Sequence, residues 1–334
     1  PFEELFEPAV HYARNGFSVS PLTGYSWANA VSNYNDMPDW MAVFAPNGRA
    51  PKIGEKFTNE AQARTLERIA ETKGEAFYRG DLAEKIAAHA KNTGGAITEE
   101  DLAEHQLDWV GTITTDFKSH TLHEIPPNGQ GIAALMTLGI LEHMDLTQYP
   151  VDSADSYHLQ IEAMKIAYVD THRHVSDPNT RDIDHQQLLD TDYLATRAKL
   201  IDPKVAQAPT FGIPSSDTVY LTAADENGMM VSFIQSNYRG FGSGIVVPDT
   251  GISMQNRGAG FVLKEGHPNR VDGGKRPYHT IIPAFATKDG QPIMSFGVMG
   301  GHMQPQGHVQ MMVRIFAYGQ NPQAACDAPR WQVL

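Results

Sequence analysis

A hydroxyl residue, Thr218, stands where a polar loop runs directly into a predicted strand, in the sequence Ser215-Ser-Asp-Thr-Val-Tyr-Leu-Thr. Taken alone this is an ordinary position for threonine, because β-branched residues favour strands. Two glycine-dense turns follow, at 236–244 and at Met299-Gly-Gly-His, where backbone N–H groups can approach a ligand closely. A polar pair, His279-Thr280, begins a further strand. Together these features favour nucleophilic catalysis over a purely structural role for Thr218.

The elements that precede Thr218 in the sequence are predicted to be mainly helices, and these must help to position the site. Apolar residues recur at helical spacing over 59–72, 81–89, 130–143 and 153–172, and Thr98 with Asp101 forms a variant of the capping box. A strand-like segment covers 117–124, and residues 180–216 have the composition of a polar surface connector. Residues 1 to about 205 are therefore predicted to be mostly helical.

From residue 217 the pattern changes to strands. Segments 218–224 and 229–235 flank Asp225-Glu-Asn-Gly, a strong hairpin signal, and 251–255 also has strand character. Segments 280–287 and 292–298 form a second predicted hairpin, and 308–318 is predicted to be helical. Helices followed by antiparallel strands indicate a layered α/β architecture.

Composition excludes several classes of function. The net charge of -13 argues against a nucleic-acid partner, and no apolar run is long enough to span a membrane. One cysteine, Cys326, permits no intrachain disulfide, which is equally compatible with the cytoplasm and the periplasm. The cytoplasm is slightly favoured, and a periplasmic or secreted location stays open because the natural N-terminus is expected to be absent. Neither Gly273-Gly-Lys-Arg nor the His172/His174 pair completes a phosphate-binding or zinc motif. No metal or other cofactor is expected.

Further segments occur in an order that resembles the γ-glutamyltranspeptidase family of N-terminal-nucleophile hydrolases, over essentially the whole chain. They are Glu7-Pro-Ala-Val-His-Tyr-Ala-Arg-Asn-Gly-Phe, Phe77-Tyr-Arg-Gly, Gly94-Gly-Ala-Ile-Thr-Glu-Glu-Asp-Leu, Pro126-Pro-Asn-Gly-Gln-Gly, Ala163-Met-Lys-Ile-Ala-Tyr-Val-Asp, Phe241-Gly-Ser-Gly and Gly273-Gly-Lys-Arg-Pro. The resemblance implies a four-layer αββα sandwich within the α/β (α+β) class. It also implies a precursor cut between Asp217 and Thr218.

On this resemblance, residues 1–217 are the C-terminal part of a large subunit and residues 218–334 the N-terminal part of a small subunit, interlocked in one domain. Both chain ends are expected to be truncated, and a homodimer is compatible with the family. The α-amino group created by the cut has a reference pKa of roughly 7.7 to 8 and can serve as the base that a threonine nucleophile needs.

The resemblance also assigns roles to individual residues. Thr218 is the expected nucleophile and Ser236 its hydroxyl partner, while the N–H groups of Gly300 and Gly301 are the expected oxyanion donors. His279 and Thr280 fall on the family's substrate-contacting serine pair. The expected substrate is a small-molecule amide or a γ-glutamyl compound.

Three positions depart from the glutathione-handling members of the family. Gly260 stands where those members have an acidic residue that binds the substrate α-amino group, Arg257 replaces an amide donor, and Tyr238 replaces an asparagine. Loss of a carboxylate and gain of a guanidinium disfavour an ammonium group and favour a carboxylate. The sequence therefore predicts an acylase-like enzyme that cleaves amides with an acidic acyl group.

Three alternatives stay open at this point. The chain is a genuine glutathione hydrolase or transpeptidase, or an uncleaved member of the family that only binds a ligand, or a serine hydrolase that uses Ser26 in a motif resembling a nucleophile elbow, Gly24-Tyr-Ser-Trp-Ala.

Overall fold

The computed structural model describes residues 1–208 and 217–333 and divides into two compact units. The first unit contains Pro1–Asp108 and Gly240–Asn256, and the second contains Trp109–Arg239 and Arg257–Leu334. The predicted mixed α/β class is confirmed. The predicted division at residue 217 concerns processing rather than packing, and it stays a prediction.

The first unit is almost entirely helical. Its helices are α1 (Glu7–Asn15), α2 (Pro21–Tyr34), α3 (Pro38–Phe44), α4 (Glu60–Thr72), α5 (Glu75–Arg79), α6 (Asp81–Asn92) and α7 (Glu99–Glu104), and its strands are β1 (Phe17–Ser18) and β2 (Lys56–Phe57). The predicted capping box is present, since Thr98 and Asp101 each bond the other's backbone N–H. This reciprocal pair satisfies two N–H groups that would otherwise lack partners.

An aromatic core holds the 240–256 segment in the first unit. The Phe241 ring packs edge-on against the fully buried Trp40, with 5.0 Å between ring centroids. Gly244 has φ +78°, and a Cβ there would lie 2.2 Å from the sulfur of Met37. Tight packing and a left-handed backbone therefore explain this glycine without a ligand.

The strand predicted at 251–255 is wrong. Only an isolated bridge, Val246 to Ser253, occurs there. Instead, the carbonyl of Met254 accepts both the N–H and the hydroxyl of Ser243, at 2.9 and 2.8 Å. Because these local bonds satisfy the backbone, the segment forms a compact loop.

The second unit begins with β3 (Ile113–Phe117), β4 (His120–Glu124), α8 (Gly131–Glu142), α9 (Ala154–His174) and α10 (Thr191–Ala198). It continues with β5 (Asp217–Ala224), β6 (Met230–Tyr238), β7 (Ala284–Lys288), β8 (Gln291–Phe296), α11 (Met303–Met312) and α12 (Pro322–Asp327). A π-helical turn, Val313–Ala317, extends α11. Short 3-10 turns occur at Glu3–Phe6, Leu146–Gln148, His185–Leu189 and Arg257–Gly260.

Two antiparallel sheets organise this unit. One has the strand order β3-β4-β7-β8, and the other is the β5–β6 ribbon. Helix α8 is apolar on all sides and packs on β3 and β4, while α9 and α11 pack against α8. A helix that is apolar all round must be buried on every side, and residues 131–141 are buried without exception.

Two predictions in this unit need correction. The single strand predicted at 117–124 is a hairpin, whose turn uses Lys118 and Ser119 with positive φ and therefore lacks the usual Asn-Gly signal. The connector predicted at 180–216 contains α10, which is capped by the side chain of Asp190 and buries Leu194. Residues 209–216 of that connector lie outside the described residues.

Within residues 1–208 and 217–333, no helix combines the length and the apolar character that crossing a membrane requires.

Candidate active site

Thr218 and Ser236 face each other on the β5–β6 ribbon. The Thr218 hydroxyl donates to Ser236 Oγ at 3.1 Å, and the same oxygen accepts the backbone N–H of Tyr238 at 2.8 Å. Tyr238 has φ +77°, an unfavourable conformation for a residue with a bulky side chain. The Ser236 hydroxyl thus connects the predicted nucleophile to a backbone turn that Ser236 itself stabilises.

The β5–β6 ribbon also contacts the end of β8. The Thr222 hydroxyl bonds that of Ser295, and a Cβ at Gly297 would lie 2.5 Å from the Tyr220 ring. Alternate residues of a strand share one face. On β5, Thr218 lies two residues before Tyr220, and the glycine pair begins three residues after Gly297.

Gly300 and Gly301 form a turn with φ of +116° and +60°. Their carbonyls accept the N–H groups of Met303 and Gln304, at 3.0 and 3.1 Å, where α11 begins. Neither glycine N–H donates a hydrogen bond to any other residue in the described part of the chain. Two adjacent backbone donors without partners are suited to stabilising negative charge on a ligand oxygen.

A cavity of about 210 Å³ is lined by His302, the residue that follows this turn, and by most of the predicted substrate residues. Tyr238, Arg257, Gly260 and Thr280 line it, together with His172, Asn269, Tyr278 and His302. Thr218, Ser236, Gly300 and Gly301 are not among its lining residues. The cavity is therefore a candidate for the subsite that holds the substrate's acyl side chain, reached from Ser236 through Tyr238.

Arg257 is the principal charged group buried in this cavity, with 4% of its surface exposed. Its Nη1 donates to the Thr280 hydroxyl at 2.5 Å, while Nε and Nη2 have no partner among the described residues. Burial lowers the pKa of Arg257 to about 10, so the guanidinium remains protonated at neutral pH. A buried cation with two unsatisfied nitrogens favours an anionic ligand.

The cavity's histidines are uncharged. Burial lowers the pKa of His302 to about 3 and that of His172 to about 4, and Arg257 lowers the value for His302 further. Both rings pack against Tyr278, at centroid distances of 5.7 and 5.2 Å. From the sequence, His172 was weighed only as part of a zinc motif, and His302 was assigned no role of its own. The position of His302, directly after the glycine pair, is the one signal in the sequence for its place here.

Gly260 leaves no room for the acidic residue that the family resemblance would otherwise place at this position. A Cβ at this position would lie 2.4 Å from the carbonyl oxygen of Tyr278. Asn269 fixes both segments, since its Oδ1 accepts the Tyr278 N–H at 3.0 Å and its Nδ2 donates to the Gly260 carbonyl at 2.8 Å. This backbone therefore excludes any side chain at position 260.

Of the predicted pair His279-Thr280, only Thr280 lines the cavity. The backbone of His279 bonds Asn128 and Gln130, and its Nδ1 accepts the N–H of Ile281 at 3.3 Å. Burial, and to a smaller extent Arg257, lower the pKa of His279 to about 3. Neighbouring residues of an extended chain point in opposite directions, which explains why the pair is split.

The structure does not support the Ser26 alternative. Ser26 lies within α2 and is exposed, whereas a nucleophile elbow sits on a sharp turn from a strand to a helix. In the described part of the chain, no three His, Cys, Asp or Glu side chains are grouped as a metal site would require.

Comparison with known proteins identifies the family of the chain. Residues 1–333 match the family model described as gamma-glutamyltranspeptidase. The cephalosporin acylase from Bacillus halodurans superposes with a TM-score of 0.95 at 48% identity, over 100% of this chain and 62% of that protein.

Two curated relatives are also similar over nearly the whole chain. The glutathione hydrolase-like YwrD proenzyme of Bacillus subtilis is 38% identical over 98% of this chain, and the oxamate amidohydrolase proenzyme of Klebsiella pneumoniae is 36% identical over 99%. The chain spans 62% of the length of each. By the match of its sequence over residues 1–333, the chain belongs to the γ-glutamyltranspeptidase family.

Proposed function

We propose that the protein is a self-processing amidohydrolase that cleaves amides carrying an acidic acyl group through an acyl-enzyme on Thr218. The observation that carries this proposal is the buried Arg257, whose Nε and Nη2 have no partner among the described residues. The hydrogen bond from Thr218 to Ser236 supports the choice of nucleophile. The related acylase and oxamate amidohydrolase support the choice of chemistry.

Maturation would begin at the bond between Asp217 and Thr218. The Thr218 hydroxyl adds to the carbonyl carbon of Asp217, and the peptide C–N bond breaks as its nitrogen takes a proton, which leaves an ester. Water then hydrolyses the ester to give the Asp217 carboxylate and a free Thr218 amine. One precursor thereby yields a large and a small subunit, in keeping with the proenzyme names of the relatives.

Turnover would reuse the same hydroxyl. The free α-amino group takes the hydroxyl proton while Thr218 attacks the substrate carbonyl, and the N–H groups of Gly300 and Gly301 stabilise the resulting oxyanion. The amine departs with a proton, and water or an acceptor amine releases the acyl group. Ser236 holds the Thr218 hydroxyl in one orientation.

Substrate selection would depend on Arg257 and Gly260. A carboxylate on the acyl group can accept hydrogen bonds from the free nitrogens of Arg257, whereas a substrate ammonium would meet a cation and no carboxylate at position 260. This argues against efficient use of γ-glutamyl compounds.

Three p-nitroanilides that share a five-carbon acyl chain test the proposal. Glutaryl-p-nitroanilide ends in a carboxylate, γ-glutamyl-p-nitroanilide adds an ammonium beside it, and pentanoyl-p-nitroanilide lacks both charges. We expect kcat/KM to be highest for the glutaryl compound, by about 10-fold to 100-fold, since a charged hydrogen bond contributes about 1.5–3 kcal/mol. A preference for the γ-glutamyl compound would instead identify a glutathione hydrolase.

Thr218→Ala is the control for the nucleophile. We expect the variant to remain one chain on a denaturing gel and to show no turnover, while the unaltered protein gives two bands divided at residue 217. Turnover by uncut Thr218→Ala would contradict the mechanism, and an unaltered protein that stays uncut and inactive would indicate a binding function.

A further inference from the structure

Gln130 joins the two halves of the candidate site. It belongs to the segment Pro126-Pro-Asn-Gly-Gln-Gly and directly precedes the first residue of α8. Its side chain is fully buried. The two hydrogens of its Nε2 amide go to two carbonyls, that of Thr280 at 2.7 Å and that of Gly301 at 2.8 Å.

The orientation of this amide is fixed from the other side. The Tyr278 hydroxyl donates to Oε1 at 3.3 Å, and the backbone N–H of Gln130 donates to the His279 carbonyl at 2.9 Å. Every donor of Gln130 is therefore used, and three consecutive residues, 278–280, are bonded to it. A buried amide with all its partners in place is rigid and costly to disturb.

The need for such a residue follows from the glycine pair. Gly300 and Gly301 have no side chains to pack, and glycine gains more backbone freedom than any other residue when it is released. The carbonyl and the N–H of Gly301 flank the same Cα, so anchoring the carbonyl restricts the direction of the N–H. Gln130 also holds Thr280, whose hydroxyl accepts from Arg257.

We infer that Gln130 is a positioning residue that sets the Gly301 oxyanion donor and the Arg257–Thr280 carboxylate subsite at a fixed distance from each other. This inference rests on the proposed function. Because small displacements of catalytic groups reduce rates strongly, loss of the amide acts mainly on kcat.

Gln130→Glu and Gln130→Met, made in the full chain, test this inference. Met keeps the length and apolar packing but removes the donors, and we expect kcat for glutaryl-p-nitroanilide to fall about 10-fold to 100-fold in the folded, self-cleaved protein. Glu facing two carbonyls in a buried site has a raised pKa, and only its protonated form can donate. The ratio of the Glu variant's kcat to the wild-type kcat therefore rises as the pH falls, whereas the ratio for Met stays constant.

Gln310→Glu is the matched control. The Gln310 amide is also buried, donates to the carbonyls of Gln306 and Trp331 at 3.0 Å, and accepts the Trp331 N–H. Its hydrogen bonds involve neither Gly301 nor Thr280. We expect this variant to lose thermal stability while its kcat, per cleaved molecule, stays within about 2-fold of wild type with no change in the pH profile.

The possible outcomes distinguish a failure of the inference about Gln130 from a failure of the proposed function. A folded, cleaved Gln130→Met protein with wild-type kcat overturns the inference while leaving the proposed function intact. A folded variant that fails to cleave itself also overturns it, because it places Gln130 in maturation instead of turnover. Wild-type protein without Thr218-dependent turnover overturns the proposed function, and the inference with it. If the Glu variant does not fold, the Met variant decides alone.

Discussion

The guanidinium of Arg257 lies over the ring of Tyr238, with its central carbon 4.7 Å from the ring centroid. The negative face of the ring partly compensates a cation that has lost its water, a contribution of about 0.5–2 kcal/mol. The compensation is incomplete, since burial still lowers the pKa of Arg257 and two of its nitrogens lack partners among the described residues. Burial of Arg257 therefore reduces stability and leaves two nitrogens available to bind an anionic ligand.

Arg257→Met should make the protein more stable and less active. Removing a buried cation without an anionic partner should raise the free energy of unfolding by on the order of 1 kcal/mol, after the lost contact with Tyr238 is subtracted. The kcat/KM for glutaryl-p-nitroanilide should fall about 100-fold, with little change for the pentanoyl compound. Chemical denaturation and steady-state kinetics measure the two effects. Arg270→Met, at an exposed position, is the control, and equal losses on both substrates would argue against a carboxylate subsite.

Ser236→Ala should slow turnover without preventing folding. The Thr218 hydroxyl loses its acceptor and the Tyr238 N–H loses its partner, so we expect kcat to fall about 10-fold to 100-fold. Ser236→Thr keeps the hydroxyl and should retain most of the activity. Single-turnover rates for the two variants compare these effects, and equal rates would show that the hydroxyl has no part in orienting Thr218.

Gly260→Asp should not create a glutathione hydrolase. A Cβ at this position would lie 2.4 Å from the Tyr278 carbonyl, so the substitution should destabilise the fold by about 1–3 kcal/mol. Gly258→Asp is the matched control, because a Cβ there has no neighbour within 4 Å. Thermal unfolding of the two variants and their activity on γ-glutamyl-p-nitroanilide check this. A stable Gly260→Asp protein with γ-glutamyl activity would contradict the steric argument.

Glu124 should make stability depend on pH. It is fully buried, and its Oε1 lies 2.6 Å from Nδ1 of the equally buried His308. Burial raises the pKa of Glu124 in the folded state, with His308 opposing the shift. At a pH above about 4.5 the unfolded chain releases this proton while the folded chain retains it, so folding is favoured less as the pH rises through the raised value.

Glu124→Gln removes that titration and keeps an acceptor for His308. We expect the free energy of unfolding of wild type, relative to the Gln variant, to decrease between pH 4.5 and pH 7. Urea denaturation at both values measures the difference. A constant difference would mean that Glu124 has the same pKa in the folded and unfolded chains.

Local sequence signals predicted the helices well and the turns unevenly. Caps such as Thr98 act within four residues of the chain, so their effect can be recognised without tertiary structure. The turn at Lys118 and Ser119 adopts positive φ with residues that rarely do so, and sequence reasoning missed it. The strand predicted at 251–255 failed because hydrogen bonds from Ser243 satisfy its backbone locally.

The candidate site was predictable in its residue types but not in its energetics. The departure at Gly260 is visible in the sequence, yet the carbonyl of Tyr278 that excludes a side chain is close only in the folded chain. Arg257 was predicted to suit a carboxylate, whereas its burial and its two unsatisfied nitrogens depend on long-range packing. From the sequence, Gln130 was only part of a motif and the start of a predicted helix, because its partners are about 150 and 171 residues away.

The glycine pair at 300–301 has a consequence for how this site can vary. Its donors are main-chain N–H groups, which every residue except proline carries, so most single substitutions leave the groups themselves in place. Mutation can change only their direction, through residues that hold the turn from outside. Differences in how well such turns bind an oxyanion should therefore arise in the supporting side chains, and a comparison restricted to the residues that touch the substrate would overlook them.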